Sequence, residues 1–140
     1  MHFMVIRKAD AETEAGVLPS PGLIDAMQSF NEKLAKSGAL KDGQGLLPSS
    51  RGARVSFKDG KPSVIDGPFA EAKELVGGFL IMEAGSLAEV IEVLKGWPVE
   101  DGHGNVQLEI RQVVTMDDLE FSDEQKQRYH TIEQEAAQQQ

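Results

Sequence analysis

The chain has 140 residues, no cysteine and a formal net charge of −9 at pH 7. This length predicts a single domain, and the absence of cysteine excludes disulfides, a thiolate nucleophile and cysteine-ligated metals. The acidic balance argues against a nucleic-acid partner, because a phosphate backbone requires a basic footprint. The apolar run before Arg7 is too short for a signal peptide or a membrane span, so we expect a cytoplasmic protein with no membrane partner.

A first strand is predicted from Phe3 to Arg7, because its side chains alternate between two faces. Phe3, Val5 and Arg7 fall on the same face of this strand. The polar residues 9–20 that follow are predicted to form a loop that leads to a helix.

The first helix is predicted to begin after Ser20, which can cap it, with Pro21 at the first helical position. Gly38 ends the helix. Its apolar residues recur at helical spacing and form one stripe, made of Leu23, Met27, Phe30 and Leu34.

A β-hairpin is predicted in the middle of the chain. Residues 53–58 alternate in polarity and form one strand of the hairpin. Asp59-Gly60 supplies a two-residue turn, and residues 63–65 form the returning strand. A short strand is also predicted at residues 46–48. It would lie at an edge or an end, because proline cannot donate to a β-ladder.

The stretch VIDGPFAEAKELVGG, residues 64–78, combines turn-forming and helix-forming residues. Its Asp-Gly-Pro triplet, beginning at Asp66, predicts a tight turn. A short helical piece is expected over residues 69–76 before the two glycines end it. The following run FLIME, residues 79–83, is almost continuously apolar and predicts a central strand.

The second helix is predicted from a capping box, in which Ser86 is followed three residues later by Glu89. Gly96 and Pro98 end this helix. Alternating apolar residues over residues 106–110 then predict the last strand of the sheet.

The C-terminal residues 115–140 form a separate acidic extension, with seven acidic against two basic residues. Ser122 and Gln125 can open a helix there, but its apolar residues are sparse. We therefore divide the chain into a domain at residues 1–114 and a helical extension at 115–140, which is a candidate for contact with a protein partner.

The predicted order of strands and helices corresponds to an α+β protein with the ferredoxin-like βαββαβ plan and an added hairpin. The helices would cover one face of the sheet. We expect the other face to expose Phe3 and Val5 to water unless a second copy of the chain covers it. The sequence therefore predicts a homodimer.

The segment VIDGPFAEAKELVGGFLIMEA, followed by a capped helix, a Trp-Pro stop and LEIRQV, resembles the YCII-related domain family. More narrowly, it resembles the branch with an Asp-Gly-Pro-Phe signature, here Asp66 to Phe69. The resemblance implies a dimeric α/β barrel of two ferredoxin-like sheets, with a cleft near the interface. In the wider superfamily it also implies either a His–Asp acid–base pair or an association with alternative sigma factors.

Asp66 is the first candidate for a reactive group. A carboxylate on a tight turn beside the apolar Phe69 can have a raised pKa and act as a general base. Alternatively, Asp66 accepts hydrogen bonds within its own turn or caps the following helix, and has only a structural role. The two interpretations are compatible, since a structural turn can also line a cleft.

The histidine of the implied His–Asp pair lies on the first helix, and this helix contains none. Of the three histidines in the chain, only His103, in a glycine-bracketed loop, is a candidate catalytic residue. An isolated loop histidine is usually just solvated.

Arg54 and Arg111 are candidates for binding an anion, with Phe69 lining the same cleft. The planar guanidinium suits carboxylates and phosphates, although strand charges also form surface ion pairs of small energetic value. No phosphate loop, dinucleotide motif, hydrolase elbow or metal-ligand spacing is found, so no cofactor or metal is predicted.

The sequence therefore predicts a homodimer that binds a small anionic organic molecule, with Asp66 as the base if lyase- or isomerase-type chemistry occurs. The alternative hypothesis is a non-enzymatic regulatory or interaction module linked to sigma-factor-dependent transcription. Under that hypothesis the acidic extension docks on a basic partner.

Overall fold

A computed structural model describes residues 1–139 of the chain. Gln140, the last residue of the predicted extension, lies outside the described residues. The chain is a mixed α/β protein with antiparallel sheets and a C-terminal helix. Its strands are β1 (His2–Lys8), β2 (Leu40–Gly45), β3 (Ala53–Lys58), β4 (Lys61–Asp66), β5 (Val76–Glu83) and β6 (Leu108–Gln112). Its α-helices are α1 (Ala11–Glu14), α2 (Pro21–Lys36), α3 (Leu87–Leu94) and α4 (Asp123–Gln138).

The larger sheet has four strands in the order β2-β5-β1-β6, and every neighbouring pair is antiparallel. The two central strands, β1 and β5, are those with the longest apolar runs in the sequence. Helix α2 connects β1 to the edge strand β2, and α3 connects β5 to the other edge strand β6. The connections therefore follow a β-α-β-β-α-β plan, with β3 and β4 inserted between its halves.

The core lies between the sheet and the two long connecting helices. Phe3 and Val5 of β1 are 1% exposed, and they pack with Leu80 and Met82 of β5. The helices contribute Leu34, Val90 and Leu94. Burying side chains of this size contributes about 1.5–3 kcal/mol each.

The prediction that Phe3 and Val5 lie on the open face of the sheet was wrong. Both side chains point toward the helices, and the open face carries Met4, Ile6 and their neighbours, which are half-buried. Both faces of β1 carry apolar side chains, so its sequence does not indicate which face the helices cover.

The hairpin of β3 and β4 was predicted correctly. Asp59 and Gly60 form its turn with φ values of 51° and 76°, the left-handed geometry that an Asp-Gly hairpin turn uses. The hairpin is a separate two-stranded sheet. One of its faces carries apolar side chains that remain exposed, namely Val55 at 57%, Phe57 at 70% and Val64 at 66%.

Three local predictions between the major elements were wrong. The strand expected at residues 46–48 lies earlier in the chain, at Leu40–Gly45, because pairing with β5 extends a segment with little apolar alternation. The loop expected over residues 9–20 contains α1, which Asp10 caps. The helical piece expected over residues 69–76 is a single 3₁₀ turn at Ala72–Glu74.

The C-terminal helix α4 begins at the predicted cap. The Ser122 side chain accepts from the Gln125 N–H, and the Gln125 side chain accepts from the Ser122 N–H. In the described part of α4, none of the side chains is buried. No helix within residues 1–139 has the length and apolar character that a bilayer span requires.

Candidate functional site

The Asp-Gly-Pro-Phe corner follows directly after β4. The Gly67 N–H donates to the Gly52 carbonyl at 3.0 Å, and the Gly67–Pro68 peptide bond is cis. A Cβ atom on Gly67 would lie 1.7 Å from the Ser49 carbonyl oxygen. No residue with a Cβ atom can be accommodated so close to that oxygen. Glycine is therefore required at position 67, where the backbone approaches the backbone of Ser49 closely.

A distant carboxylate holds this corner in place. The Phe69 N–H donates to Ser49 Oγ at 3.0 Å, the Ser49 N–H donates to Glu14 Oε1 at 3.0 Å, and the Ser49 hydroxyl donates to Glu14 Oε2. Glu14 ends α1, so the corner is connected to an element far away in sequence. No sequence signal identified Glu14, because a contact 35 residues away leaves no local pattern.

An open cleft of about 480 Å³ lies beside the corner, and we call it the Phe69 cleft. The Arg54 guanidinium carbon lies 4.0 Å from the centre of the Phe69 ring, a cation–π contact. The charged lining consists of the cationic Arg51 and Arg54 and the anionic Glu14, whose two oxygens accept from Ser49. The cleft is lined by Glu14, Gly45, Leu46, Leu47, Pro48, Ser49, Arg51, Gly52, Arg54, Phe69, Leu75 and Val76.

Asp66 and Arg111 do not line the Phe69 cleft. Asp66 is the last residue of β4, pairs with Ala53 and is exposed. Arg111 lies on the open face of the larger sheet opposite Met4, and its guanidinium is 3.5 Å from the Glu109 carboxylate. The structure therefore brings Arg54 and Phe69 together and places Asp66, Arg111 and the third predicted residue, His103, outside this cleft.

A second, larger cavity of about 900 Å³, partly open to solvent, lies between α2 and the helix-covered face of the sheet, and we call it the α2 cavity. Much of its wall is apolar. Its lining includes Val5 and Leu80 from the sheet and Leu23, Ile24 and Met27 from α2. This volume lies within the roughly 300–1,000 Å³ typical of small-molecule sites.

A buried ion-pair group, the Arg7 cluster, lies at one end of the α2 cavity. The Arg7 guanidinium donates to both oxygens of Asp101, at 2.7 and 3.2 Å, and to Asp10 at 3.1 Å. The Trp97 indole N–H donates to Asp101 at 2.9 Å. Arg7 is buried because it shares the inward face of β1 with Phe3 and Val5.

The Arg7 cluster shifts the protonation equilibria of its members. Burial alone lowers the pKa of Arg7, but hydrogen bonds and charge from Asp101, and then Asp10, outweigh burial and raise it. Burial alone raises the pKa of Asp10, but the Thr13 N–H and the charge of Arg7 outweigh burial and lower it. Arg7 and Asp10 therefore both favour the charged form that the pair requires.

His103 lines the α2 cavity from the 3₁₀ turn Asp101–Gly104. Its Nε2 atom is 3.0 Å from Glu12 Oε2, and its side chain is 77% exposed. The acidic partner of this histidine is thus Glu12 of α1.

Asn31 of α2 is among the residues that line the α2 cavity, but its Oδ1 atom is buried from solvent. Its Oδ1 atom has no hydrogen-bond partner among the described residues, and buried acceptors in proteins are nearly always paired. Sequence analysis did not identify Asn31, Arg7 or Asp101 as site residues. Within residues 1–139, no group of three or more acidic or histidine side chains is arranged to hold a metal ion.

Comparison with known proteins identifies a family. The model of the YCII-related domain matches residues 1–117. An uncharacterised protein of Rhizobium meliloti (strain 1021) is 32% identical over 66 residues. That match covers 47% of this chain and 53% of the relative, so it spans about half the relative's length.

One solved structure is a remote match. It is 5-chloro-2-hydroxyhydroquinone dehydrochlorinase from Burkholderia phenoliruptrix AC1100 in complex with 2,5-dihydroxybenzoquinone. The sequence identity is 19% and the TM-score is 0.44. The match covers 85% of this chain and 100% of that chain.

Proposed function

Since the chain belongs to the YCII-related domain family, we propose that it binds a small anionic organic molecule in the Phe69 cleft, with Arg54 as the anion anchor. The observation that carries this proposal is the Arg54 guanidinium held 4.0 Å above the Phe69 ring. A guanidinium ordered by stacking keeps its planar N–H edge available to a carboxylate or phosphate.

The surroundings of the cleft support an anionic ligand over a cationic one. Arg51 and Arg54 contribute two positive charges against the single negative charge of Glu14, whose oxygens are occupied by hydrogen bonds from Ser49. The apolar side chains of Leu46, Leu47 and their neighbours can contact the carbon skeleton of the ligand.

Two copies of the chain complete the site as a ferredoxin-like dimeric barrel. The open face of the larger sheet carries Met4 and Ile6 on β1 beside Phe79 and Ile81 on β5. The hairpin carries a further exposed apolar face. A homodimer that buries both surfaces accounts for their apolar composition.

Membership of the Asp-Gly-Pro-Phe branch of the family is also proposed, on the basis of the motif itself.

If lyase- or isomerase-type chemistry occurs, Asp66 would be the base, acting on a ligand that extends beyond the Phe69 cleft, because Asp66 does not line that cleft. Its exposed carboxylate lies three residues before Phe69 in the chain. The binding proposal does not depend on this role, because Arg54 and Phe69 are in contact without Asp66.

A thermal-shift screen with small carboxylate and phosphate metabolites tests the binding proposal. A ligand at about 100 times its Kd stabilises the protein by about 2.7 kcal/mol, which corresponds to a rise in Tm of roughly 8 °C for a chain of this size. We expect Arg54→Gln to abolish the rise. The matched control Arg128→Gln, on the exposed helix α4, should retain it.

Further variants separate the remaining residue assignments. Arg111→Gln should leave the Tm rise intact if Arg54 is the anchor. Asp66→Asn should leave binding in place and abolish turnover of a bound substrate. A Tm rise that survives Arg54→Gln overturns the proposal.

The alternative, a regulatory or interaction module linked to sigma-factor-dependent transcription, is favoured by one observation. Helix α4 folds with a complete capping box, yet none of its described side chains is buried. A polar helix of this kind is available to a partner. A screen in which no anion raises the Tm of the wild type would favour this alternative.

A further inference from the structure

One residue that lines the Phe69 cleft carries the same charge as the ligand proposed for it. Glu14 is half-buried and lies in the lining with Arg51 and Arg54. A carboxylate close to a bound anion weakens binding by repulsion. The hydrogen bonds of Glu14 give it a role that offsets this repulsion.

The hydrogen bonds around Ser49 run in a fixed direction. The N–H and the hydroxyl of Ser49 both donate to Glu14, and Ser49 Oγ accepts from the Phe69 N–H at 3.0 Å. A carboxylate only accepts, whereas a hydroxyl donates one bond and can accept others. Glu14 therefore directs the hydroxyl hydrogen toward itself and leaves the lone pairs of Ser49 Oγ to the Phe69 N–H.

The position of Phe69 depends on these bonds because it lies outside the helices and strands. It falls between β4 and the 3₁₀ turn Ala72–Glu74, so neither a ladder nor a helix fixes its backbone. Its ring is the surface on which the Arg54 guanidinium stacks, at 4.0 Å from the ring centre. A displaced Phe69 backbone would therefore displace Arg54 as well.

The other end of this chain of contacts is held by the buried part of the molecule. Glu14 is the last residue of α1. The cap of that helix, Asp10, accepts from Arg7 at 3.1 Å. The Glu14 carboxylate is thus carried by an element that is attached to the Arg7 cluster.

Resting on the proposed function, we propose that Glu14 is a positioning residue for the Phe69 cleft, and that it raises the affinity for an anion despite its own negative charge. It holds Ser49, which fixes Phe69 and, through its ring, Arg54. Removing the carboxylate has two effects of opposite sign. The loss of repulsion strengthens anion binding, and the loss of position, which is the larger effect, weakens it.

The side chain of Arg54 reports on this arrangement before any ligand is added. Protons held over an aromatic ring resonate upfield, so the Cδ protons of Arg54 should lie upfield of their position in Phe69→Leu. Arg54→Gln removes these resonances and thereby assigns them. Glu14→Gln should lose roughly half or more of the upfield displacement, because either orientation of its amide loses one of the two bonds from Ser49.

Titration with inorganic phosphate and with benzoate, followed by the same resonances, measures affinity in the folded protein. Glu14→Gln should bind both probes about tenfold more weakly than the wild type, whereas repulsion alone would make binding roughly twofold tighter. The matched control is Glu12→Gln, which removes the same charge from the same helix. The Glu12 carboxylate contacts His103, so this variant should titrate like the wild type.

Variants at Ser49 test the chain of contacts itself. Ser49→Ala should match Glu14→Gln in both measurements. The double variant should be no weaker than either single variant, because both substitutions interrupt the same chain. Ser49→Thr keeps the hydroxyl and should retain the wild-type resonances and affinity.

Two results would each overturn the proposal, namely wild-type Arg54 resonances in Glu14→Gln, or anion binding by this variant that is unchanged or tighter. A lower Tm with unchanged resonances and Kd would show that Glu14 only stabilises the fold. An absence of anion binding by the wild type counts against the proposed function. In that case the resonances of the ligand-free protein still decide whether Glu14 positions Phe69 and Arg54.

Discussion

Gly67 is a residue whose identity follows from a single interatomic distance. A Cβ atom at this position would overlap the carbonyl oxygen of Ser49, and that carbonyl belongs to the backbone and cannot rotate away. Ser49 in turn positions Phe69 and is held by Glu14. The requirement for glycine therefore extends to the geometry of the Phe69 cleft.

Gly67→Ala should destabilise the protein by about 2–3 kcal/mol, because the backbone must move to accept the methyl group. Urea unfolding followed by circular dichroism measures this as a lower midpoint at unchanged slope. Gly52→Ala is the matched control in the same corner, since its nearest neighbouring atom would be an ordinary 3.6 Å away. Equal stability of the two variants would contradict the steric argument.

At the scale of elements, α1 is a short helix whose cap also serves the Arg7 cluster. Asp10 accepts from the Thr13 N–H at 2.8 Å through one oxygen and from Arg7 at 3.1 Å through the other. Asparagine caps helices about as well as aspartate. The substitution Asp10→Asn thus removes the charge that faces Arg7 while keeping the cap.

Asp10→Asn should lower the Tm near pH 7 by roughly 3 °C. The pKa of Asp10 is lower in the folded than in the unfolded chain, so the stabilisation is fully present above about pH 4. It is lost as the pH falls through the folded-state pKa. Calorimetry at pH 7 and pH 3 should show the difference between wild type and variant shrinking toward zero, whereas the exposed control Asp25→Asn should have little effect at either pH.

Local elements were predicted from the sequence more reliably than elements formed by pairing. Ser20, Ser86 and Ser122 each begin the helix that the sequence indicated, because a cap involves residues three positions apart. β2 was misplaced because its extended form comes from pairing with β5, about 40 residues away. Such pairing leaves little pattern in a segment such as LKDGQG.

The same distinction applies to the candidate sites. Arg54 and Phe69 were identified because the motif and the hairpin that carry them are local features. The Arg7–Asp101 contact joins residues 94 positions apart, and Asn31 is one polar residue in a helix with many. Neither could be recognised without the fold.

At the scale of the whole molecule, the hairpin provides a test of the proposed dimer. Val64 lies on its apolar face opposite Val55, while the adjacent Ser63 lies on the other face opposite Ser56. An aspartate introduced at either position carries the same charge and the same low strand propensity. Only the aspartate at position 64 would be buried by a partner.

Light scattering should give the wild type a mass twice the 15.2 kDa of one chain. Val64→Asp should weaken dimerisation by 100-fold or more, an estimate of about 3 kcal/mol for an unpaired charge at an interface centre. Ser63→Asp should remain dimeric. A monomeric wild type at micromolar concentration would rule out the dimer, and a dimer unaffected by Val64→Asp would place the interface elsewhere.

The free-standing hairpin also has a consequence for the newly synthesised chain. Both edges of a two-stranded ribbon can recruit any extended polypeptide nearby, which is a route to aggregation. Lys58 and Lys61 flank the turn, and Pro62 removes one edge N–H, all of which oppose such recruitment. The ribbon can therefore keep its apolar face uncovered until a second copy packs against it, while its edges resist the addition of further strands.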